Sequence, residues 1–167
     1  MPLCPNKNSP DKDMVMTPKY LAEDIIRYFN PTGVIMDPCK GEGAFYDLMP
    51  EGSLWCELSK NVDFFDFKGR VDWLITNPPW SKIAEFIAHG MKISDNIVYL
   101  AVINHFVTRK RLRDIYLGGF GIKEIRLHST PPLPWTQSGF QVCSCHLKRG
   151  HRGPWVVSSS DDLGWEA

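Results

Sequence analysis

The sequence contains no apolar run of the roughly 18 residues that a membrane-spanning helix requires. Its first residues, Met1–Asn8, also lack the apolar centre of a signal peptide. The five cysteines are an odd number without Cys-x-x-Cys spacing, so neither a disulfide framework nor a zinc site is favoured. Net charge is absent too, since 19 basic residues balance 19 acidic ones. We therefore expect a soluble intracellular protein with free thiols, no metal site and no overall attraction to nucleic acid or to an anionic membrane.

The charges are nonetheless unevenly distributed. Between residues 99 and 152 there are nine basic residues and two acidic ones, a balance of +7, which leaves −7 for the rest of the chain. Four of the basic residues crowd into one predicted helix: Arg109, Lys110, Arg111 and Arg113. Such a run is either a solvated helix face or a surface that contacts phosphates without reading sequence.

The chain is long enough for a single core, with 167 residues of which 43% are hydrophobic. Prolines among polar residues predict a flexible arm over residues 1–14, and the polar composition of residues 151–167 predicts an extended or disordered tail. Residues 15–150 then form the one predicted domain.

Helices and strands alternate within that domain. Helical spacing of apolar residues predicts helices over 18–29, 81–93 and 108–117. Short apolar runs predict strands over 33–37, 53–58, 71–76 and 96–103, and alternating runs predict two more over 122–128 and 141–148. Wholly apolar strands are typical of strands covered on both faces. The pattern therefore predicts an α/β fold whose mostly parallel sheet ends in an antiparallel C-terminal hairpin, with helices on both faces.

Acids and glycines follow the predicted strands at the edge where open α/β sheets bind ligands. The turn Gly41-Glu42-Gly43 lets backbone approach a ligand, and Asp37 before it can accept from a cationic amine or cap the turn. Glu57 comes 20 residues after Asp37, the separation at which an acid meets ribose hydroxyls. Asp63-Phe64 adds an acid and a ring that can hold a base, although Phe64 suits the core equally well. An adenosine-containing cofactor fits this set.

The segment Asn77-Pro78-Pro79-Trp80 follows the third predicted strand. Its two prolines remove two backbone donors and fix the chain geometry. The Asn77 side-chain oxygen and the Pro78 carbonyl can accept both hydrogens of a planar amino group, and the Trp80 ring offers a face for stacking a base. The simpler interpretation is a turn that ends a strand.

Taken in order, four segments resemble the motifs of the S-adenosylmethionine-dependent adenine-N6 DNA methyltransferases in their gamma arrangement. The segments are Thr17-Pro18, Asp37-Pro-Cys-Lys-Gly-Glu-Gly-Ala-Phe45, Asp63-Phe-Phe65 and Asn77-Pro-Pro-Trp80. The resemblance implies a Rossmann-like class I methyltransferase fold, S-adenosylmethionine as cofactor with S-adenosylhomocysteine as its product, and DNA as partner.

The same resemblance implies roles for individual residues. Those expected to bind the cofactor are Thr17, Pro18, Asp37, Pro38, Gly41, Gly43, Phe45, Glu57, Asp63 and Phe64. Those expected to hold the target base for catalysis are Asn77, Pro78, Pro79 and Trp80. Phe140 lies where the family tends to place a second aromatic residue for that base, and the basic helix would contact phosphates.

The chain departs from the family in two ways. Only five residues separate Glu57 from Asp63, where the family usually has a helix and a strand, which predicts a trimmed adenine pocket. A sequence-reading segment of about 100 residues, the size of a small domain, is also lacking. We therefore expect a short or relaxed sequence specificity, or a partner that supplies it, such as a second copy of the chain or a specificity protein.

Two alternatives stay open. An Asn-Pro-Pro-aromatic turn orients an amino group without reading the ring, so adenine in RNA or cytosine N4 are further targets for the same chemistry. The trimmed pocket also suits a non-catalytic methyltransferase-fold binding subunit, although such a subunit has no need of the acceptor array. The expected location is the cytoplasm, on the nucleoid or in a phage-infected host cell.

Overall fold

A seven-stranded mixed sheet organises residues 15–160, the part of the chain that the computed structural model describes. The strands are β1 (Ile35–Asp37), β2 (Leu54–Trp55), β3 (Trp73–Thr76), β4 (Asn96–Val102), β5 (Phe120–His128), β6 (Val142–Arg149) and β7 (Val156–Ser159). The helices are α1 (Lys19–Phe29), α2 (Ile83–Ile93), α3 (Asn104–Val107) and α4 (Arg109–Leu117). Across the sheet the strands run in the order β2-β1-β3-β4-β6-β5-β7.

The directions of the strands confirm the predicted α/β sheet. β1 pairs in parallel with β2 and β3, and β3 pairs in parallel with β4. β6 pairs antiparallel with both β4 and β5, which is the predicted C-terminal hairpin. Because β1 to β4 are parallel, their carboxyl ends meet at one edge of the sheet, which we call the carboxyl edge.

Helices cover both faces of the sheet. Leu21 and Ile25 of α1 belong to one buried cluster, together with Val98 of β4. Phe86 of α2 belongs to a second cluster, together with Ile97 of β4. Successive β4 residues thus pack against opposite faces, which is why this strand is apolar throughout.

The segment between β2 and β3 is as short as its sequence indicates. It contains the single-turn 3-10 helices Leu58–Lys60 and Phe64–Asp66 and no longer helix or strand. Glu57 and Val62 form an isolated antiparallel bridge that turns the chain back on itself. β2 is consequently an edge strand.

The sheet continues past Gly150, where the sequence predicts that the domain ends. β7 pairs in parallel with β5, and the Arg126 guanidinium donates a hydrogen bond to the Ser159 carbonyl. Residues up to Ser160 therefore belong to the domain and are not a separate tail. The predicted arm over residues 1–14 and the end of the predicted tail, residues 161–167, lie outside the described residues. Within residues 15–160 no helix is both long enough and apolar enough to cross a membrane.

Candidate functional site

A cleft of about 730 Å³ opens at the carboxyl edge. Seven residues that the sequence predicts for the site line it: Thr17, Gly41, Gly43, Phe45, Glu57, Asn77 and Pro79. Further lining residues come from the chain before α1, from the start of α1 and from the loops and short 3-10 helices after β1 and β2: Val15, Met16, Lys19, Cys39, Lys40, Glu42, Ala44, Asp47, Leu48, Leu58 and Ser59. We call Val15–Thr17 the strap. The sequence does not predict most of this second set, because these residues lie beside the motif residues without belonging to a recognisable motif themselves.

The glycine turn brings backbone close to the strap and to the following 3-10 helix. Gly41 has φ +54° and Gly43 has φ +96°, values that favour glycine. A Cβ atom on Gly43 would lie 2.7 Å from the Asp47 carboxylate, and one on Gly41 would lie 3.4 Å from the Met16 sulfur. Both glycines line the cleft, and the lack of side chains lets the turn pack closely against Met16 and Asp47.

Glu57 holds this turn in place. One carboxylate oxygen accepts from the Gly41 amide at 2.7 Å, and the other accepts from the Ser59 amide at 3.1 Å and the Ser59 hydroxyl at 2.7 Å. Partial burial favours the neutral acid, but these hydrogen bonds outweigh it and hold the pKa of Glu57 below its ordinary value. Glu57 is thus an ionised group that joins two walls of the cleft.

Replacing Glu57 with alanine is expected to lower both the stability of the protein and its affinity for a ligand in the cleft. The Gly41 and Ser59 amides lose a charged acceptor, so the free energy of unfolding should fall by about 1 to 3 kcal/mol. The motif resemblance places Glu57 at the ribose hydroxyls of S-adenosylmethionine, which predicts an affinity for that cofactor at least about tenfold lower, since a charged hydrogen bond is of similar strength. Chemical denaturation and titration calorimetry measure the two effects. Glu51→Ala, which removes an exposed acid outside the cleft, should change neither, and an equal loss in that variant would contradict the assignment.

Asp37 lies beneath the cleft and does not line it. Its side chain is fully buried, and one oxygen accepts from the Thr76 hydroxyl at 2.7 Å and from the Cys39 amide at 3.1 Å. Its other oxygen, Oδ2, has no hydrogen-bond partner among the described residues. Burial raises the pKa of Asp37 to about 7, with only partial relief from the Thr76 hydroxyl and from the backbone at Cys39 and Tyr46, and the negative charge of Glu57 adds to the rise. In this conformation Asp37 supports the turn from below, and its predicted contact with a ligand stays a prediction.

Asp63 and Phe64 do not reach the cleft either. Asp63 accepts from the Phe65 amide at 2.9 Å and lines a separate cavity of about 450 Å³ beside β2. Phe64 is 3% exposed and packs on Phe86 with ring centroids 5.1 Å apart. The Glu57–Val62 bridge turns the chain between them, so Glu57 lines the cleft and Asp63 lines the separate cavity. The role of Asp63 and Phe64 at the adenine ring stays a prediction. Leu58, which is 64% exposed, is an apolar side chain that does line the cleft.

Asn77 stands at the junction of the cleft and the strap. Its side-chain amide donates to the Val15 carbonyl at 3.0 Å, and its Oδ1 accepts from the indole N–H of Trp80 at 3.2 Å. These two bonds fix which end of the amide faces which neighbour. An amide oxygen accepts two hydrogen bonds, so one acceptor position of Oδ1 remains for a ligand.

Trp80 does not present a free face as the sequence predicts. Its indole N–H donates to Asn77 and to the Leu100 carbonyl, both at 3.2 Å, and the ring is partly buried. The Trp135 ring packs edge-on against it with centroids 5.8 Å apart, and His105 lies at the same distance. Pro18, Pro38 and Pro78 adjoin lining residues but do not themselves line the cleft.

Trp135 is the main residue at this edge that sequence reasoning missed. It is 2% exposed and donates from its indole N–H to the Met16 carbonyl at 3.0 Å, which pins the strap. Phe140, in the same loop between β5 and β6, is 53% exposed at the carboxyl edge. Phe140 does not line the cleft, so its predicted contact with the target base stays a prediction.

The basic helix α4 begins at the carboxyl edge, directly after α3. Arg111 donates to the His105 carbonyl at 3.0 Å, and Lys110 pairs with Asp114 at 2.6 Å. Arg109 and Arg113 are exposed, and neither makes an ion pair with any residue in the range 15–160. Two of the four predicted phosphate contacts are therefore unengaged cations, and two have partners within the protein.

The rest of the +7 segment is not arranged around the cleft. Arg126 is 6% exposed and forms a two-pronged pair with Asp24, both contacts at 2.8 Å. Arg149 pairs with Asp95, and Lys148 lies opposite Asn96 at the start of β4, at the edge of the sheet away from the cleft. These basic residues are therefore paired or distant from the cleft, unlike Arg109 and Arg113 of α4.

Solved structures share this fold. A candidate RNA methyltransferase from Pyrococcus horikoshii has a TM-score of 0.65 and 16% identity, covering 86% of this chain and 90% of that one. A candidate class I S-adenosylmethionine-dependent methyltransferase from Listeria monocytogenes has a TM-score of 0.61 and 14% identity, covering 95% of this chain and 69% of that one. A modification subunit of a candidate type I restriction enzyme from Vibrio vulnificus has a TM-score of 0.61 and 13% identity. The match covers 93% of this chain and 49% of that subunit, so the chain spans about half of it.

No protein-family model and no curated protein matches the sequence. The structural likeness, together with the seven-stranded sheet and its antiparallel hairpin, identifies the fold as that of the class I S-adenosylmethionine-dependent methyltransferases. This confirms the predicted fold class.

Proposed function

We propose that the protein transfers a methyl group from S-adenosylmethionine to the exocyclic amino group of adenine in DNA. The observation that carries the proposal is the position of Asn77, whose oriented amide lies in the wall of the same cleft as the glycine turn. A cofactor held at the turn and an amino group held at Asn77 would then be neighbours. The fold and its structural relatives support this assignment without specifying the target.

The cleft fits a cationic adenosine cofactor. Three carboxylates and two lysines line it, those of Glu42, Asp47, Glu57, Lys19 and Lys40. Together with buried Asp37 and its unpartnered oxygen, these acids favour a ligand that carries a sulfonium and an ammonium group. The glycine turn offers backbone for close approach, and Leu58 offers an apolar surface for the base. S-adenosylmethionine has each of these features and supplies an electrophilic methyl group.

The protein's own contribution is position and polarisation. The free acceptor position of Asn77 Oδ1 and the Pro78 carbonyl would accept the two amino hydrogens, which shifts the nitrogen lone pair toward a nucleophilic geometry. S-adenosylmethionine, when bound, would supply the methyl group, whose bond to sulfur would break with its electrons staying on sulfur as the bond to nitrogen forms. The methylated nitrogen then loses a proton to solvent, because it becomes acidic only after transfer, so no strong general base is required.

The decisive experiment is transfer of labelled methyl groups to separate pools of DNA and RNA, followed by nucleoside analysis. Label in N6-methyladenine from DNA is expected. Label in cytosine, or in RNA alone, would replace the proposed target, and no label in either pool would contradict the proposed activity. Calorimetry with S-adenosylmethionine then distinguishes an enzyme without its substrate from a non-catalytic subunit. Binding is expected for the enzyme, whereas a protein that does not bind the cofactor cannot transfer its methyl group.

RNA is the second candidate substrate. The chain covers 90% of the Pyrococcus horikoshii candidate RNA methyltransferase but about half of the Vibrio vulnificus modification subunit. The match therefore includes nearly all of the first protein and only about half of the second. The two-pool experiment decides between them in one step.

Removing the two unengaged cations of α4 tests the proposed phosphate contacts. The Arg109→Gln, Arg113→Gln double variant is expected to bind duplex DNA more weakly and to lower the slope of log affinity against log salt by about 2, one for each phosphate that is no longer neutralised. Fluorescence anisotropy over a salt series measures both. Lys123→Gln with Lys148→Gln removes the same charge at the opposite edge of the sheet and should leave the slope unchanged. Equal effects from the two pairs would show that only net charge matters.

A further inference from the structure

The loop between β5 and β6 carries an exposed leucine on a rigid support. Leu133 is 80% exposed, and it lies in the run Pro131-Pro132-Leu133-Pro134, whose prolines restrict the backbone. The Gln137 side chain donates to the Pro131 carbonyl at 2.8 Å and to the Trp135 carbonyl at 3.0 Å, which closes the loop on itself. The leucine is thus held out into solvent on a braced loop.

The support of this loop reaches the proposed target site. Trp135, two residues after Leu133, is buried and donates to the Met16 carbonyl of the strap. Its ring lies 5.8 Å from the ring of Trp80, whose indole N–H donates to Asn77. A chain of direct contacts therefore fixes the base of the Leu133 loop relative to the residue that would hold the target amino group.

An apolar side chain at this place suits a particular step of the proposed reaction. An adenine inside a duplex is not accessible to an enzyme until it leaves the base stack, and extrusion leaves a gap between its neighbours. Proteins that open base steps frequently insert leucine, phenylalanine or another apolar side chain into them. A leucine on a proline-stiffened loop loses little conformational freedom when it enters such a gap.

We propose that Leu133 enters the base stack of duplex DNA beside the target nucleotide and occupies the space that the extruded base leaves. This inference rests on the proposed function. It assigns Leu133 to extrusion and leaves methyl transfer itself to the Asn77 site. The contribution of Leu133 is therefore needed for duplex DNA and not for DNA that is already single-stranded.

The test compares methyl transfer to native and heat-denatured samples of the same genomic DNA, which requires no knowledge of the recognition sequence. Leu133→Ala is expected to lower kcat/KM on native DNA about tenfold and to change it less than about twofold on denatured DNA, since a single-stranded base costs least to extrude. Leu133→Met, which keeps an apolar side chain of similar volume, should restore most of the native activity. Leu117→Ala removes another exposed leucine, 69% exposed at the end of α4, and should leave both activities unchanged.

The ratio of native to denatured activity separates the outcomes. An equal loss on both forms, or no loss on either, would overturn the role of Leu133 while leaving the proposed methyl transfer intact. Absence of transfer by the unaltered protein to both forms would instead overturn the proposed function, and the inference with it. A thermal unfolding curve of Leu133→Ala that matches the unaltered protein excludes a folding defect as the cause of a native-only loss.

Discussion

Replacing Asn77 with alanine is expected to lower the rate of methyl transfer at least about a thousandfold, the upper range for loss of a single preorganised polar group in an active site. The side-chain oxygen that would accept an amino hydrogen is removed, and the Pro78 carbonyl is left as the only acceptor of the pair. S-adenosylmethionine should still bind within about threefold, because the glycine turn and Glu57 are untouched. Labelled methyl transfer and titration calorimetry measure the two quantities separately.

Asn77→Asp is the matched variant for this prediction. It keeps an oxygen facing Trp80 but replaces the donor to the Val15 carbonyl with a negatively charged oxygen, so it tests the orientation of the side chain. We expect it to be nearly as inactive as the alanine variant. Near-normal methyl transfer by Asn77→Ala to any nucleic acid would sink the assignment of this site.

The sheet is predictable because its signal is local. Successive residues of β4 pack on opposite faces, so the strand had to be apolar at every position from 97 to 102, and that pattern is visible in the chain itself. The two strands of the antiparallel hairpin are predictable from the alternating sequence of β5 and β6, whereas the irregularity between Ile122 and Glu124 that shifts their register is not. β7 is different, because three consecutive residues from Trp155 to Val157 are exposed and their composition gives no periodic signal.

The site is less predictable because a turn of a few residues decides which side a residue occupies. Glu57 and Asp63 are only six positions apart, yet the Glu57–Val62 bridge places one in the cleft and the other in the cavity beside β2. The motifs give the order of these residues along the chain, but they do not show how the short segment between β2 and β3 folds. The shortness of this connection is therefore visible in the sequence, whereas the cavity that Asp63 lines is not.

Trp135 shows a second limit. Its hydrogen-bond partner Met16 is 119 positions away, and its ring partner Trp80 lies in another loop. Trp135 is a single tryptophan in a proline-rich loop and belongs to no periodic pattern or motif, so the sequence does not predict either contact. The unequal charge of the two chain segments misleads for the same reason, since Arg126 is paired with Asp24, 102 positions away, instead of facing solvent.

Binding of S-adenosylmethionine is expected to release a proton from Asp37 near neutral pH. Burial raises the pKa of Asp37 from 3.8 to about 7, so near pH 7 the free protein holds this carboxyl partly protonated. A cationic ligand in the cleft above favours the ionised form. Affinity should therefore rise about tenfold between about pH 6 and 8 and level off above that range, an effect that the proton release in two buffers of different ionisation enthalpy reports by calorimetry.

The same carboxyl makes stability fall as pH rises. The folded protein keeps the Asp37 proton up to about pH 7, whereas the unfolded chain releases it near 3.8. Between these values the folded state binds more protons, so the free energy of unfolding decreases with rising pH, by up to about 4 kcal/mol across the window, and is flat above it. Asp37→Asn cannot ionise and should lack both this decrease and the proton release on binding.

Glu42→Gln is the matched control, since it removes an exposed carboxylate of the cleft while leaving Asp37 in place. It should bind S-adenosylmethionine somewhat more weakly at every pH and still release the proton. If Asp37→Asn kept the pH dependence and Glu42→Gln lost it, the titrating group would lie in the cleft wall and Asp37 would be only a support for the glycine turn. The expected result instead makes Asp37 a buried counter-charge that becomes ionised when a cation occupies the cleft, which explains why an unpartnered carboxylate oxygen lies under a turn open to a ligand.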